Sequence, residues 1–556
     1  MTKTRLNIVL VIFLFGTLNS IAQEIEYRLI INDSTKQSPK NISKKFNSIK
    51  ELEAFKKEEI NSLWELGYIH LKVDSLISNK NSIQQYISLN QRIDSIFIDV
   101  PEKYATYIEG TRKKIKIKFE EWEKFQEVLI NNLRANGYDF AKVKYSPVSV
   151  HGNYLFAKLA VEVNELKKYN RVYIKGYKQF PKSFKKHHIR IRKGEIYTEK
   201  KLKQRTKTIQ NLDFVNEIKN PEVQFSKDSV NVFLYLEKRK INSFDGFIGF
   251  SNEDEGSGLD LNGYLDVVLK NNLNLGETLI IQYKNDGQEQ QIFQSRLVLP
   301  FIFNSRFTPE AGIELFRQDS TFSRSTQELK LGYHINHQWN IAADLEVVNS
   351  SNLLANEEEP TSTSTIGDYK SNFYGVSTRF LNRRKKIGQI VHQDLIKLRI
   401  LQGRRKSLNK NLQQLRLEFY GETLQKILKN TYLNLASVVQ IIDSDQYLNN
   451  ELYRLGGLRS MRGFEENSLI ASSFYSLQTE IRYFLSSDLY VNSVLDYGYY
   501  QNELVNLKEN LVSFGFGIGL NTKGGLLRLI FANGRSSQQK FNFQNTQVHL
   551  SLNTFF

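Results

Sequence analysis

The chain changes its hydrophobic rhythm once, near residue 240. Before that point amphipathic helical stretches are interleaved with short two-faced strands. After it the helical period vanishes, and apolar and polar residues alternate with period two in segments recurring roughly every 20 residues. The alternation predicts strands at Ser243–Asn252, Leu259–Leu269, Glu277–Lys284, Gln291–Phe301, Phe307–Arg317, Ser325–Ile335, Trp339–Val348, Ser371–Phe380, Gly388–Ile400, Gln413–Gly421, Thr431–Ile441, Phe474–Leu485, Leu489–Tyr500, Leu511–Asn521, Gly525–Ala532 and Thr546–Phe556. That makes 16, an even number as single-chain barrels require.

Connection lengths give an independent check, because a barrel of this kind has long loops at one end and short turns at the other. Asn349–Lys370, Leu401–Leu412, Ile442–Ser473, Gln501–Asn510 and Asn533–Asn545 are the long ones, whereas Ser486–Asp488 and Thr522–Gly524 are short. This parity places both ends of the barrel on the short-turn side. Asn349–Lys370, with Glu357-Glu358-Glu359-Pro360 and few apolar residues, reads as an outer loop.

The longest connection lies between strands whose faces separate cleanly. In the strand before it, Leu433, Leu435, Val439 and Ile441 oppose Tyr432, Asn434, Ala436 and Gln440. After it, Tyr475, Leu477, Ile481 and Tyr483 oppose Ser476, Gln478, Glu480 and Arg482, and Leu495 and Tyr497 then oppose Asn492 and Asp496. In a barrel embedded in lipid the polar face is the lumen. A loop carrying Arg462 can therefore fold inward to meet Glu480 and Asp496, since a buried guanidinium requires carboxylate partners.

From Gln23 to about Lys240 the pattern is repetitive and α+β. Gly67-Tyr68-Ile69-His70-Leu71-Lys72-Val73 and Gly137-Tyr138-Asp139-Phe140-Ala141-Lys142-Val143 share a G-Y-x-x-x-K-V pattern 70 residues apart. Each copy follows an amphipathic helix, with Leu52, Phe55, Ile60, Leu63 and Trp64 in the first and Trp122, Phe125, Leu129 and Leu133 in the second. The glycine stands where a helix ends in the left-handed conformation. A third unit opens at Arg171-Val172-Tyr173-Ile174-Lys175-Gly176, passes through a helix at Glu199–Asn211, and closes on the alternating strand Val230–Leu236.

Composition narrows the picture further. Beyond the first two dozen residues no apolar run reaches helical-span length. Mean hydropathy is −0.43, compatible with a barrel whose alternation hides its lipid face. Aromatic residues make up 12%, as aromatic girdles would require. Lys3 and Arg5, the apolar stretch Ile8–Phe15 and Ser20-Ile21-Ala22 predict an export signal over 1–22, removed to leave a mature chain from about Gln23. With no cysteine the chain has neither a disulfide framework nor a lipid-anchoring cysteine. The net charge of +17 is heaviest in the amino-terminal half, which offers a surface for anionic lipid headgroups or acidic protein segments; an exported chain is not expected to meet nucleic acid.

The tetrad Met461-Arg462-Gly463-Phe464 resembles the (V/I)-R-G-(F/Y) motif in the sixth outer loop of the outer-membrane assembly superfamily, the BamA/TamA group. Glu480 and Asp496 match its acidic partners, and Met461 departs from the usual β-branched residue. The third unit resembles the POTRA domain that precedes such barrels; the first two keep its helix and final strands and blur its opening strand. The resemblance implies a signal peptide (1–22), three POTRA-like domains (23–91, 92–166 and 167–240) in the periplasm, and a 16-stranded antiparallel transmembrane barrel (241–556) whose loop 442–473 folds inward. The fold class expected is therefore α+β domains followed by an outer-membrane β-barrel. Its implied function is insertion or translocation of unfolded outer-membrane or secreted client proteins, captured on POTRA edges and templated at the seam between first and last strands. Accessory periplasmic or lipoprotein subunits and outer-membrane lipids are the other implied partners. Gly246 and Gly249 weaken the first strand of that seam, and the terminal Phe556 resembles the carboxy-terminal signal of outer-membrane barrels. Three units favour this group over a two-partner-secretion pore exporting one dedicated protein, which is the alternative.

No metalloprotease, nucleophile-elbow or nucleotide-loop motif occurs, so neither enzyme chemistry nor a cofactor is expected. Gly515-Phe516-Gly517-Ile518-Gly519 lies inside an alternating strand with no following helix, and reads as small lumen-facing residues. His187-His188 reads as part of a solvated basic face.

Overall fold

The computed structural model describes residues 25–554 apart from 33–38, 80–81, 109–112, 164, 253–258, 286–289, 355–365, 388–389, 408–409, 523–524 and 538. The expected export signal and Phe556 lie outside the described residues. The chain divides into two compact units, Met1–Leu166 and Lys167–Phe556.

In the first unit two small α/β bodies repeat one topology. Strands β1 (Ile25–Asn32), β2 (Lys40–Phe46), β3 (Lys72–Asn79) and β4 (Ser82–Ser88) form a sheet in the order β2-β1-β4-β3. β5 (Ser95–Asp99), β6 (Lys114–Lys118), β7 (Lys142–His151) and β8 (Tyr154–Glu162) repeat it as β6-β5-β8-β7. A helix covers each sheet: Ile49–Glu65, capped by the Ser48 hydroxyl accepting from the Glu51 amide, and Trp122–Ala135. Gly67 and Gly137 follow these helices with φ of +99° and +100°, the left-handed ending their spacing predicted. The opening strand that was indistinct in sequence is thus present in both, hairpinned to a second strand.

The second unit begins with the third α/β body, in which β9 (Lys168–Gly176), β10 (Val215–Phe225) and β11 (Ser229–Lys238) pair as β10-β11-β9 under the helix Glu199–Lys207. The barrel follows as β12 (Ser243–Asn252), β13 (Leu259–Lys270), β14 (Thr278–Asn285), β15 (Gln290–Val298), β16 (Phe307–Gln318), β17 (Phe322–His334), β18 (Trp339–Asn352), β19 (Tyr369–Ile387), β20 (Ile390–Ser407), β21 (Lys410–Lys426) and β22 (Thr431–Ser444). A small hairpin, β23 (Tyr453–Leu455) with β24 (Leu469–Ala471), stands inside the next connection. The wall then resumes with β25 (Ser473–Phe484), β26 (Leu489–Asn502), β27 (Leu507–Thr522), β28 (Gly525–Arg535) and β29 (Gln547–Thr554). Sixteen strands form one antiparallel sheet from β12 to β29, and these two end strands lie side by side. Among the described residues no ladder joins them.

The burial pattern is inside-out, as a lipid-embedded barrel demands. Along β25, Tyr475, Leu477, Ile481 and Tyr483 are exposed while Ser476, Gln478, Glu480 and Arg482 are buried. One expectation is overturned: Leu401–Leu412 is not a long loop. β20 and β21 continue their ladder to the pair Ser407↔Lys410. Arg404, Arg405 and Lys406 hid the alternation, because charge falls on both faces here: Arg405 is buried in the lumen while Arg404 and Lys406 are exposed on the opposite face.

The third α/β body is keyed to the short-turn end of the barrel. Phe301, from the turn after β15, joins its hydrophobic core and meets Phe184 edge to face at 4.9 Å. The Tyr177 hydroxyl accepts from Asn271 Nδ2 at 2.7 Å, and His187 Nε2 lies 2.6 Å from the Asn304 carbonyl. Arg190 donates to the Ile335 carbonyl at 3.0 Å, and Asp213 pairs with Lys270 at 3.3 Å and with Arg383 of β19. His188 is buried against the Thr208 carbonyl at 2.9 Å, and burial pushes its imidazole down to about 4. The pair His187-His188 is therefore part of an interface, and not the solvated face its basic surroundings implied.

Candidate functional site

The inward loop between β22 and β25 carries its motif on the tip of the β23–β24 hairpin. Met461 and Phe464 are buried with Leu455, Leu469, Ala471, Phe474 and Leu511, so the tip is pinned to the inner wall by an apolar cluster before any charge is considered. Gly463, at φ +80°, lies so close to the wall that a Cβ there would stand 2.5 Å from the Gly534 amide nitrogen. Only glycine allows that approach. The Gly463 amide donates to His549 Nε2, on the last strand, at 3.3 Å.

Arg462, with 2% exposure, is among the largest fully buried side chains. Its Nε donates to Asp496 Oδ2 at 2.8 Å, its two terminal nitrogens reach Asp496 Oδ1 and Glu480 Oε1, and its backbone amide also points at Asp496 Oδ2, at 3.3 Å. The register explains the convergence: Gln478 pairs with Asp496, so Glu480 lies one pleat along the same lumenal face. Glu480 is a hub. Its Oε2 accepts from Arg482 Nε at 2.7 Å, and its Oε1 accepts from Arg528 of β28 at 2.8 Å. Asp496 is fully buried, and among the described residues its donors all belong to Arg462. Three guanidiniums thus face two carboxylates, leaving the cluster one positive charge in excess.

The same loop is tied down at two further places. On its incoming leg, Glu451 accepts from Gln414 Nε2 at 2.9 Å, from the Leu448 amide at 2.9 Å and from Arg405 of β20. Beside it Asn450 donates to Ser350 Oγ at 2.9 Å and to the Gly367 carbonyl at 2.8 Å. Asn450 and Glu451 are 1% and 2% exposed, and they hold the leg to β18, β20 and β21. Past the tip, Glu466 pairs with Lys284 of β14 at 2.6 Å and Asn467 Nδ2 donates to Gln290 of β15 at 2.8 Å. The loop therefore touches the wall on both sides of the β12–β29 seam.

Met461, Arg462, Gly463, Phe464, Glu480 and Asp496 are thus brought together. Gly246 and Gly249 lie elsewhere, on β12, where a Cβ on Gly246 would stand 3.0 Å from the Tyr264 carbonyl oxygen. Sequence reasoning missed Arg528, His549, Arg405, Asn450 and Glu451. Arg528 carried a signal: a lone charge in an apolar strand requires a lumenal partner. Arg405 was hidden in a segment read as loop, and nothing in the loop's own pattern marks Asn450 or Glu451. Among the described residues no group of three or more acidic, His or Cys side chains is arranged to hold a metal ion.

No protein-family model matches the sequence, and no curated protein matches it. Solved structures with a similar course include CdiB from Acinetobacter baumannii, at 14% identity, covering 91% of this chain and 98% of that one with a TM-score of 0.51. CdiB from Escherichia coli is similar at 13% identity, covering 83% and 90% with a TM-score of 0.52. BamA from Haemophilus ducreyi lacking POTRA domains 1–3 overlays more loosely, at 13% identity, 78% and 92% coverage and a TM-score of 0.44.

Proposed function

Because this chain has the fold of the CdiB barrels, α/β domains followed by a 16-stranded antiparallel transmembrane β-barrel, we propose that it inserts or translocates client proteins at the bacterial outer membrane. In this reading the three α/β bodies are POTRA-like domains in the periplasm. The observation that carries it is the seam. Among the described residues β12 and β29 lie side by side with no ladder joining them, while one buried loop is bonded to strands on either side of them. An unpaired strand edge in lipid is costly unless something completes it. A client strand completes it by β-augmentation, templated on the seam and fed from the sheet edges of the α/β domains. The loop sets how far the seam opens, because Arg462 and Gly463 hold the strands on the β29 side while Glu466 and Asn467 hold β14 and β15.

A second reading, a pore exporting one dedicated protein, is favoured by a cavity of about 1930 Å³ that runs from the third α/β body to the motif loop inside the barrel. Quantitative proteomics of outer membranes after depletion of the protein separates the two. Broad loss of outer-membrane barrels is the expected result; one missing secreted protein supports the pore, and an unchanged proteome refutes both.

A further inference from the structure

The lumenal wall from β15 to β21 is a dense charge network in which nearly every group is matched. Arg296 pairs with Glu310 at 3.2 Å and Glu328 at 3.4 Å, and Lys330 with Glu328 at 3.5 Å and Asp344 at 3.6 Å. Arg399 reaches Glu346 at 2.7 Å, and Arg416 reaches the other oxygen of the same carboxylate at 2.8 Å. Against this background two cations stand out. Arg379 of β19 and Lys397 of β20 are direct partners in the ladder, both on the lumenal face and both lining the cavity. Among the described residues no carboxylate lies within 4.0 Å of either, and Glu310 and Asp213 act on Arg379 only from farther off. Their nearest cationic neighbours, Arg296, Lys330 and Arg383, already hold the acids of this level.

Like charges directly opposite on adjacent strands repel. Glu310, acting on both cations, and Asp213, acting on Arg379, offset the repulsion only from beyond contact distance, so the pair is left to take an anion from outside the wall. The lining around the pair is suited to a chain more than to a small ion. Lys397 Nζ sits 5.6 Å from the Tyr420 ring centroid, and the same cavity is bordered by Tyr264 and Tyr283 and reaches Val548 and His549 on the last strand. We infer that Arg379 and Lys397 form a binding subsite for the carboxylates of an extended acidic polypeptide segment lodged in the barrel lumen. This rests on the proposed handling of client proteins and names the charge character of what the lumen receives.

The test uses the full chain in detergent micelles and fluorescein-labelled octaglutamate, followed by anisotropy at low and moderate salt. The parent should bind octaglutamate and not octalysine, with affinity falling as salt rises. Arg379→Gln/Lys397→Gln should weaken binding at least about tenfold, the loss of charge-assisted contacts. Lys200→Gln/Lys207→Gln, which removes two exposed charges from the third α/β body, should leave it within about twofold. The lumenal double variant should also fold, retain heat-modifiable migration and melt no lower than the parent, since a repulsion has been removed. Failure of the parent to bind, equal binding by the lumenal variant, equal loss in the surface variant, or a lowered melting temperature each overturns the assignment. Saturation by inorganic phosphate without octaglutamate binding also overturns it, replacing the polypeptide with a small oxyanion. A protein that binds no octaglutamate while its depletion still strips barrels from the membrane overturns this subsite alone and leaves the proposed function standing.

Discussion

Truncating Arg462 exposes an asymmetry between its two partners. In Arg462→Ala, Glu480 keeps Arg482 at 2.7 Å and Arg528 at 2.8 Å, whereas Asp496, fully buried, keeps only the backbone amide at 3.3 Å. Breaking a buried ion pair by removing one partner costs about 3–5 kcal/mol, most of it the stranded charge. The cost should therefore fall on Asp496, and a second change, Asp496→Asn, should recover about 1.5–3 kcal/mol of it. Glu480→Gln in the Arg462→Ala background should recover nothing, because it leaves Arg482 and Arg528 without their common carboxylate. Arg462→Lys should rescue only in part, as an ammonium cannot fork across two acids. The assay is the rate of proteolysis within the loop of the membrane-inserted protein under conditions where reclosing outpaces cleavage, so that the rate follows the open population. A loss of about 3 kcal/mol raises that rate by roughly 100-fold. Heat-modifiable migration should be retained throughout, since the wall ladders are untouched. Equal protease resistance in Arg462→Ala and the parent, or rescue by Glu480→Gln as good as that by Asp496→Asn, would refute the reasoning.

Three further outcomes follow from other contacts. Arg405→Ala should loosen the incoming leg at residues 445–452 by about 3 kcal/mol, because Glu451 is stranded beside Gln414; protease mapping should place the new cuts there and not at the motif. Gly276→Ala should release the third α/β body from the barrel turn, since its Cβ would stand 2.2 Å from the Phe184 ring at a φ of +77°, and faster hydrogen exchange at Tyr177–Ile189 with an unchanged barrel would report it. Acid should loosen the same docking: His188 is held neutral by burial, so below about pH 6.5 the released state takes up a proton that the docked state refuses. The stability present at neutral pH is therefore lost as pH falls from there toward about 4, by roughly 3 kcal/mol, and His188→Gln should flatten that profile in exchange measurements.

Period two was enough to reveal the strands and, along the segments it marked, to sort the side chains into lipid-facing and lumen-facing sets, because a strand in lipid has no other stable arrangement. It therefore put Glu480 and Asp496 on the polar face, and the long loop preceding their two strands supplied the arginine. What period two leaves open is height and neighbour. Arg482 meets Glu480 as its same-face neighbour along β25, whereas Arg528 reaches Glu480 only because the ladders from β25 through β28 stagger the two to one level, a property of the sheet and of no single strand. The same holds for Arg379 and Lys397, 18 residues apart in sequence and made direct partners by the β19–β20 register. The incoming leg with Asn450 and Glu451 has no periodicity to read, and its anchors are fixed by what the surrounding wall presents. The extension of β20 and β21 past Leu401 was concealed for a related reason: an unbroken run of charge signals a loop, whereas here the ladder carries Arg405 into the lumen and leaves Arg404 and Lys406 exposed on the other face. The packing of Phe184, Tyr177 and His188 against the turns was equally illegible, since a body that docks on turn backbones and a single Phe301 leaves no repeat in either sequence segment, and only the folded chain brings them face to face.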